Sequence, residues 1–167
     1  QSQDEYDSFF SNIPQEDEAE DFLIKQINES ILSESEKNIA KEILFNLDRK
    51  GFLEIEIELL ADNLNISIDT LERVRNFIKE NLNPRGIACL DLKEYLLFQI
   101  GDENSLSAQI IYNYFEDFLK QNFNFIQSET NSNPERFIEA IELIKSKDLQ
   151  PLKDSIVKHE IIIPDIL

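Results

Sequence analysis

The 167-residue sequence has no methionine and no tryptophan, one cysteine, one histidine and only three glycines. Each shortage closes off a class of chemistry. A lone Cys89 cannot form an internal disulfide or a cysteine-cluster metal site, and it reads as a small buried apolar residue in a reducing, cytoplasmic protein. A lone His159 leaves no multi-histidine metal site and no histidine-paired nucleophile. The glycines, at 51, 86 and 101, are too far apart to cradle a phosphate. No apolar run approaches the roughly 20 residues that a helix needs to span a bilayer. The first 24 residues hold no Lys or Arg, the reverse of a secretory signal's basic start. With no Met at its start, the sequence reads as a piece of a longer protein.

What is abundant is acid. There are 34 Asp and Glu against 16 Lys and Arg, a net charge of −18. Eight of the acids (Asp4, Glu5, Asp7, Glu16, Asp17, Glu18, Glu20 and Asp21) lie in residues 1–24. Residues 25–167 still carry 26 acids against 16 bases, or −10. Affinity for nucleic acid comes largely from bases that neutralise phosphates, so this body disfavours duplex binding. Carboxylate pairs at helical spacing, such as Glu139 and Glu142, are expected by chance at this acid content and read as a solvated face. No catalytic constellation, cofactor or metal site emerges, so the sequence predicts a binding module and not an enzyme.

Apolar spacing predicts an all-α fold of two small helical subdomains joined at a Pro-x-Gly break, behind an acidic tail. Residues 1–20 are polar and unperiodic and read as a disordered linker. Tyr6, Phe9 and Phe10 within them suggest an acidic-aromatic arm that mimics nucleic acid. A first subdomain is expected over 21–83. Phe22, Leu23, Gln26, Ile27 and Ile31 mark a helix over about 17–32. Ser33 and Glu36 form a capping box for a second helix, which Gly51 helps to close. Glu54–Glu58 alternates like a strand before Leu59, Leu60 and Leu64 take up helical spacing, and Ser67 caps a helix over 68–80. Residues 57–80 therefore resemble a helix-turn-helix, the basis of an alternative reading as a DNA-binding regulator. Charge argues against it. Residues 68–80 balance Asp69, Glu72 and Glu80 with Arg73, Arg75 and Lys79, and residues 54–62 have four acids and no base.

Asn83-Pro84-Arg85-Gly86 breaks the chain, because the residue before a proline avoids helical geometry and glycine permits a sharp turn. A second subdomain is expected over 84–160, with helices over about 90–100 and 105–121. Asn122–Asn133 is polar and reads as containing a loop, although Phe123, Phe125 and Ile126 must pack somewhere, and a helix is expected from the Asn133-Pro134 start to about Lys147. In this reading Leu92, Leu96, Leu97 and Ile100 lock the second subdomain against the first. Residues 161–167 read as an extended exit.

The break also carries a resemblance. Leu82-Asn83-Pro84-x-Gly86-Ile87, followed by Leu92-x-Glu94-x-Leu96-Leu97-x-Gln99-Ile100, is similar to the Leu-Asp-Pro-x-Gly-Val and Leu-x-Glu-Cys-Leu-x-x-Gln-Leu segments of sigma-54 family RNA polymerase sigma factors. Asn46-Leu47-Asp48-x-x-Gly51-Phe52-Leu53 resembles that family's Asn-Leu-Asp-x-x-Gly-Tyr-Leu turn, and Ile163-Pro164-Asp165-Ile166 its Ile-Pro-Asp-Val exit. The matches fall in the family's order over about 22–167. Two departures stand out. Ala88-Cys89-Leu90 replaces the family's Gly-Ala-Arg, so no role of that Arg carries over, and Leu149-Gln150-Pro151-Leu152 replaces Pro-Lys-Pro-Gly. The resemblance implies a core-binding region that docks on bacterial RNA polymerase core and supports activator-dependent promoter opening. An AAA+ activator ATPase is an implied partner. Promoter DNA would be bound through a C-terminal domain beyond residue 167. Candidate docking residues are Asp48, Arg49 and Lys50 in the first turn, Asn83, Pro84, Arg85 and Gly86 at the break, and Leu90 and Lys93 at the start of the next helix.

Overall fold

The computed structural model describes residues 15–152, and within them the protein is all helical. In chain order the helices are α1 (Gln15–Asn28), α2 (Glu34–Phe45), α3 (Ile57–Leu64), α4 (Ile68–Asn81), α5 (Leu92–Ile100), α6 (Leu106–Leu119), α7 (Phe123–Thr130) and α8 (Pro134–Lys145). The single β feature among the described residues is an antiparallel bridge between Leu47 and Leu53. The chain divides into two compact units. One comprises residues 15–89 together with 150–152, and the other residues 90–149.

The first unit is built on α4. Its Leu71, Val74 and Ile78 are buried on one face, at the spacing that puts residues three and four apart together. Against them pack Ala40, Ile43 and Leu44 of α2, Leu60 and Ala61 of α3, and Leu23 and Ile27 of α1. Each fully buried Leu or Ile contributes about 1.5–3 kcal/mol relative to exposure. Helix starts follow the sequence closely. Ser33 Oγ accepts from the Glu36 amide at 3.2 Å, and Glu36 Oε1 accepts from the Ser33 amide at 3.0 Å, completing the capping box. Ser67 caps α4 in the same way through the Thr70 amide.

The second unit is built on α6, which packs against α5, α7 and α8. Its core holds Leu96, Ile110, Ile111, Ile126, Phe137, Ala140, Ile141 and Ile144. Ser107, buried on α6, donates to the Ala140 carbonyl of α8 at 2.9 Å. A residue with non-helical geometry, Tyr114 (φ −131°, ψ 34°), kinks α6.

Several expectations change. Most of Asn122–Asn133 is helical, as α7, and the loop it contains is confined to residues 131–133. Phe123 and Ile126 are the apolar residues that pull this polar segment onto the core, where Ile126 is fully buried. The chain is helical from Gln15, so the last residues of the expected tail join α1. Residues 54–58 do not form a strand: the bridge is the isolated pair of Leu47 and Leu53, and Ile57 already opens α3. Leu92, Leu96, Leu97 and Ile100 pack into the second unit's own core. The expected exit at 161–167, His159, and the aromatic arm at Tyr6, Phe9 and Phe10 lie outside the described residues.

Glu36 supplies a pH test. Its carboxyl is held below its ordinary range, first by the hydrogen bond from the Ser33 amide, then by the Ser33 hydroxyl, with a smaller contribution from Arg73 at 3.7 Å. A carboxylate with a lowered folded pKa stabilises the fold above its unfolded pKa of about 4.3, and that stability is lost as pH falls through the lower folded value. Thermal melts from pH 7 to pH 3 should therefore show a smaller acid-induced loss in Glu36→Gln than in the parent chain. Identical pH profiles would contradict this assignment.

Candidate docking surface

Two turns of the first unit interlock. In the turn after α2, Asp48 Oδ1 accepts from the Lys50 and Phe52 amides, both at 2.9 Å, and the Asp48 amide donates to the Phe52 carbonyl at 2.7 Å. Asp48 therefore shapes the turn through its side chain, as Asx turns do. Gly51 is buried at φ +95°, where a side chain is strained. A side chain would be crowded as well. A Cβ there would lie 3.1 Å from Ile87 Cδ1 and 3.2 Å from both Pro151 Cβ and Leu152 Cγ.

The turn after α4 is held at each step. The Gln26 amide from α1 pairs with both backbone groups of Asn83, its Nε2 donating to the carbonyl and its Oε1 accepting from the N–H, each at 2.8 Å. The Asn83–Pro84 peptide is cis. Gly86, buried at φ +89°, donates its amide to the Lys79 carbonyl. Ala88, fully buried at φ +77°, is held from both sides. Its amide donates to the Gly51 carbonyl at 2.9 Å, and its carbonyl accepts from Arg75 Nη1 at 2.8 Å. One more bond, from the Leu53 amide to the Cys89 carbonyl at 2.9 Å, ties the turns together.

The sequence-predicted residues thus fall into two groups. Asp48, Arg49, Lys50, Asn83, Pro84, Arg85 and Gly86 all lie on the interlocked turns of the first unit. Arg49, Lys50, Asn83 and Arg85 are exposed, whereas Pro84 is half-buried and Gly86 buried, so the latter two shape the turn. Leu90 and Lys93 belong to the second unit. Leu90 is exposed, and its amide donates to Glu94 Oε1. Lys93 Nζ sits 5.4 Å from the centre of the Tyr112 ring.

Sequence reasoning placed Gln26 on the face of the first helix but missed its pairing with Asn83, and it missed the buried role of Arg75. Arg75 is 5% exposed and bonds Glu72 Oε1 through Nε and Nη2 at 3.1 and 2.9 Å. A signal was present, since Arg75 stands four after Leu71 and three before Ile78, on the apolar face of α4. The helix-turn-helix pairing of α3 and α4 does form, with Asn65 in left-handed geometry between them. Its use as a DNA reader is not favoured: Arg75 is committed to the interior, and Arg73 stands beside Glu36.

Among the described residues no cluster of His, Cys, Asp or Glu could hold a metal ion, and no helix is long and apolar enough to cross a membrane. The fold is an all-helical scaffold whose interlocked turns expose Arg49, Lys50, Asn83 and Arg85. The chain belongs to the family described as sigma-54 factor, core binding domain, whose model matches residues 8–167. It is 27% identical over 158 residues to the RNA polymerase sigma-54 factor of Escherichia coli (strain K12), covering 89% of this chain and 33% of that protein. It is 23% identical over 157 residues to the RNA polymerase sigma-54 factor of Vibrio anguillarum, covering 88% and 32%. With that of Azotobacter vinelandii it shares 27% identity over 192 aligned positions, covering 99% and 38%. The chain thus spans about a third of the length of these curated relatives.

Two glycines, one crowded and one open, give a direct test of the interlock. Gly101, at φ +81° and ψ −44°, has nothing within 4 Å of the place a methyl group would occupy, so Gly101→Ala meets backbone strain alone, about 1–3 kcal/mol. Gly51→Ala adds crowding against Ile87 and Pro151 and should lower stability by about 1–3 kcal/mol more, the typical range for overpacking. Chemical denaturation of the two variants should rank them in that order.

Proposed function

We propose that this chain docks on bacterial RNA polymerase core, as the non-enzymatic core-binding part of a sigma-54-type initiation factor working in the cytoplasm. The observation that carries this reading is the match to the sigma-54 core binding domain over residues 8–167, which includes both interlocked turns. The exposed tips, Arg49 and Lys50 on one turn and Asn83 and Arg85 on the other, are the proposed contacts, aimed by Asp48, Pro84 and Gly86 beneath them. Leu90 and Lys93, in the second unit, are further proposed contacts. Hydrogen bonding of the turns to each other makes them arrive at a partner as one preorganised surface, which lowers the ordering cost of binding. An AAA+ activator ATPase and promoter DNA would act on the longer factor to open promoters, with other parts of that factor reading the DNA.

A pull-down with purified polymerase core should capture the chain at micromolar concentration. Arg85→Glu should weaken capture about tenfold, a loss of about 1.4 kcal/mol. The same protein should give no salt-sensitive shift of duplex DNA. Failure to bind core at micromolar protein, or a duplex shift abolished by Arg73→Ala, would sink the reading.

A further inference from the structure

A groove of about 560 Å³ lies in the second unit, between the start of α5 and the C-terminal half of α6. That volume is in the range of about 300–1,000 Å³ typical of ligand sites. Its walls combine an aromatic and aliphatic surface with carboxylates. Tyr112 is 67% exposed and Leu119 51%, while Asp91, Glu116 and Asp117 set three negative groups against one positive, Lys93. The Tyr114 kink lies within the wall, so the groove runs along a bent stretch of α6. Lys93 Nζ stands 5.4 Å from the Tyr112 ring centre, within the roughly 6 Å at which a cation is attracted to an aromatic face. The groove therefore already binds one cation, its own.

We propose that this groove receives an Arg- or Lys-bearing segment of the polymerase core, whose cation takes the place of Lys93 Nζ on the Tyr112 ring and among the carboxylates, with flanking apolar atoms on Leu119. This rests on the core-docking reading above and adds to it a second contact of defined chemistry. Charge complementarity selects the occupant. A phosphate-bearing ligand is repelled by the three carboxylates, and a second copy of this chain brings a net charge of −18. Arginine fits best, because its planar guanidinium stacks on the ring while donating to carboxylates.

The test uses the full chain and purified polymerase core. Tyr112→Ala and Glu116→Arg alter exposed side chains and should leave the melting temperature unchanged. Each should weaken core binding about tenfold, the scale of a desolvated cation–aromatic contact. Photocrosslinking from Tyr112→p-azidophenylalanine should yield a core peptide with Arg or Lys at or beside the crosslink. If the parent chain binds core while both variants stay within twofold of it, the groove is not the contact and the docking reading survives. A crosslink to a second copy of this chain, to a core segment without Arg or Lys, or to nothing while binding persists, overturns the proposal equally. If the parent chain fails to bind core at all, the docking reading itself falls.

Discussion

The first unit depends on a positive charge placed where positive charge is costly. Arg75 is almost fully removed from water, and a buried ion is tolerated only when its hydrogen bonds are met. Glu72, one turn earlier on the same helix, supplies the counter-charge, and the Ala88 carbonyl supplies an acceptor from the far turn. In exchange Ala88 is held in a left-handed conformation that an alanine rarely adopts. Such a conformation persists only where its surroundings over-determine it. Here they do, through Arg75 on one side and the Gly51 carbonyl on the other. The strained residue and the buried charge thus stabilise each other, and the two exposed tips inherit their positions from that pairing.

The two units use the same small set of devices. In each, a glutamine near the end of the opening helix pairs its amide with a backbone N–H and C=O just beyond the closing helix. Gln26 does this with Asn83, and Gln99 with Asp148 at 2.8 and 2.9 Å. A side-chain amide pairs here as a neighbouring strand would, among helices that have no sheet to offer. In each unit an eight-residue helix also ends on a left-handed asparagine, Asn65 or Asn131, and two residues later a capping side chain, Ser67 or Asn133, starts the next helix. The turn that joins the two helices of the first unit's helix-turn-helix thus recurs in the second, between α7 and α8.

What the sequence disclosed was local. Ser33, Ser67 and Asn133 announce helix starts because a side-chain oxygen meets an amide within the same turn, and Gly101 announces a stop because only backbone freedom is at issue. Gly51 does not close α2, which ends at Phe45 with Asn46 as its cap; it serves the turn beyond. The family motif around Pro84 and Gly86 was legible for the same reason. What stayed hidden depends on partners distant in the chain. Asn122 starts α7 with no side-chain cap bond, so nothing local marks it, and Ile126 becomes decisive only against α6 and α8. Counting charges along residues 68–80 could not separate Arg73, which meets solvent, from Arg75, which does not. Gln26 is one polar residue among many until the backbone of Asn83 arrives beside it, and the groove around Tyr112 exists only once α5 and α6 have met.

The return of residues 150–152 to the first unit has a consequence for biosynthesis. Pro151 is fully buried against Gly51, and the Leu152 amide bonds the Lys50 carbonyl at 2.9 Å. The second unit is therefore an insertion, and a ribosome must deliver all of it before the first can seat its last piece. Until then the underside of the Gly51 turn stays open, and a nascent chain cut short ahead of Pro151 carries that vacancy permanently.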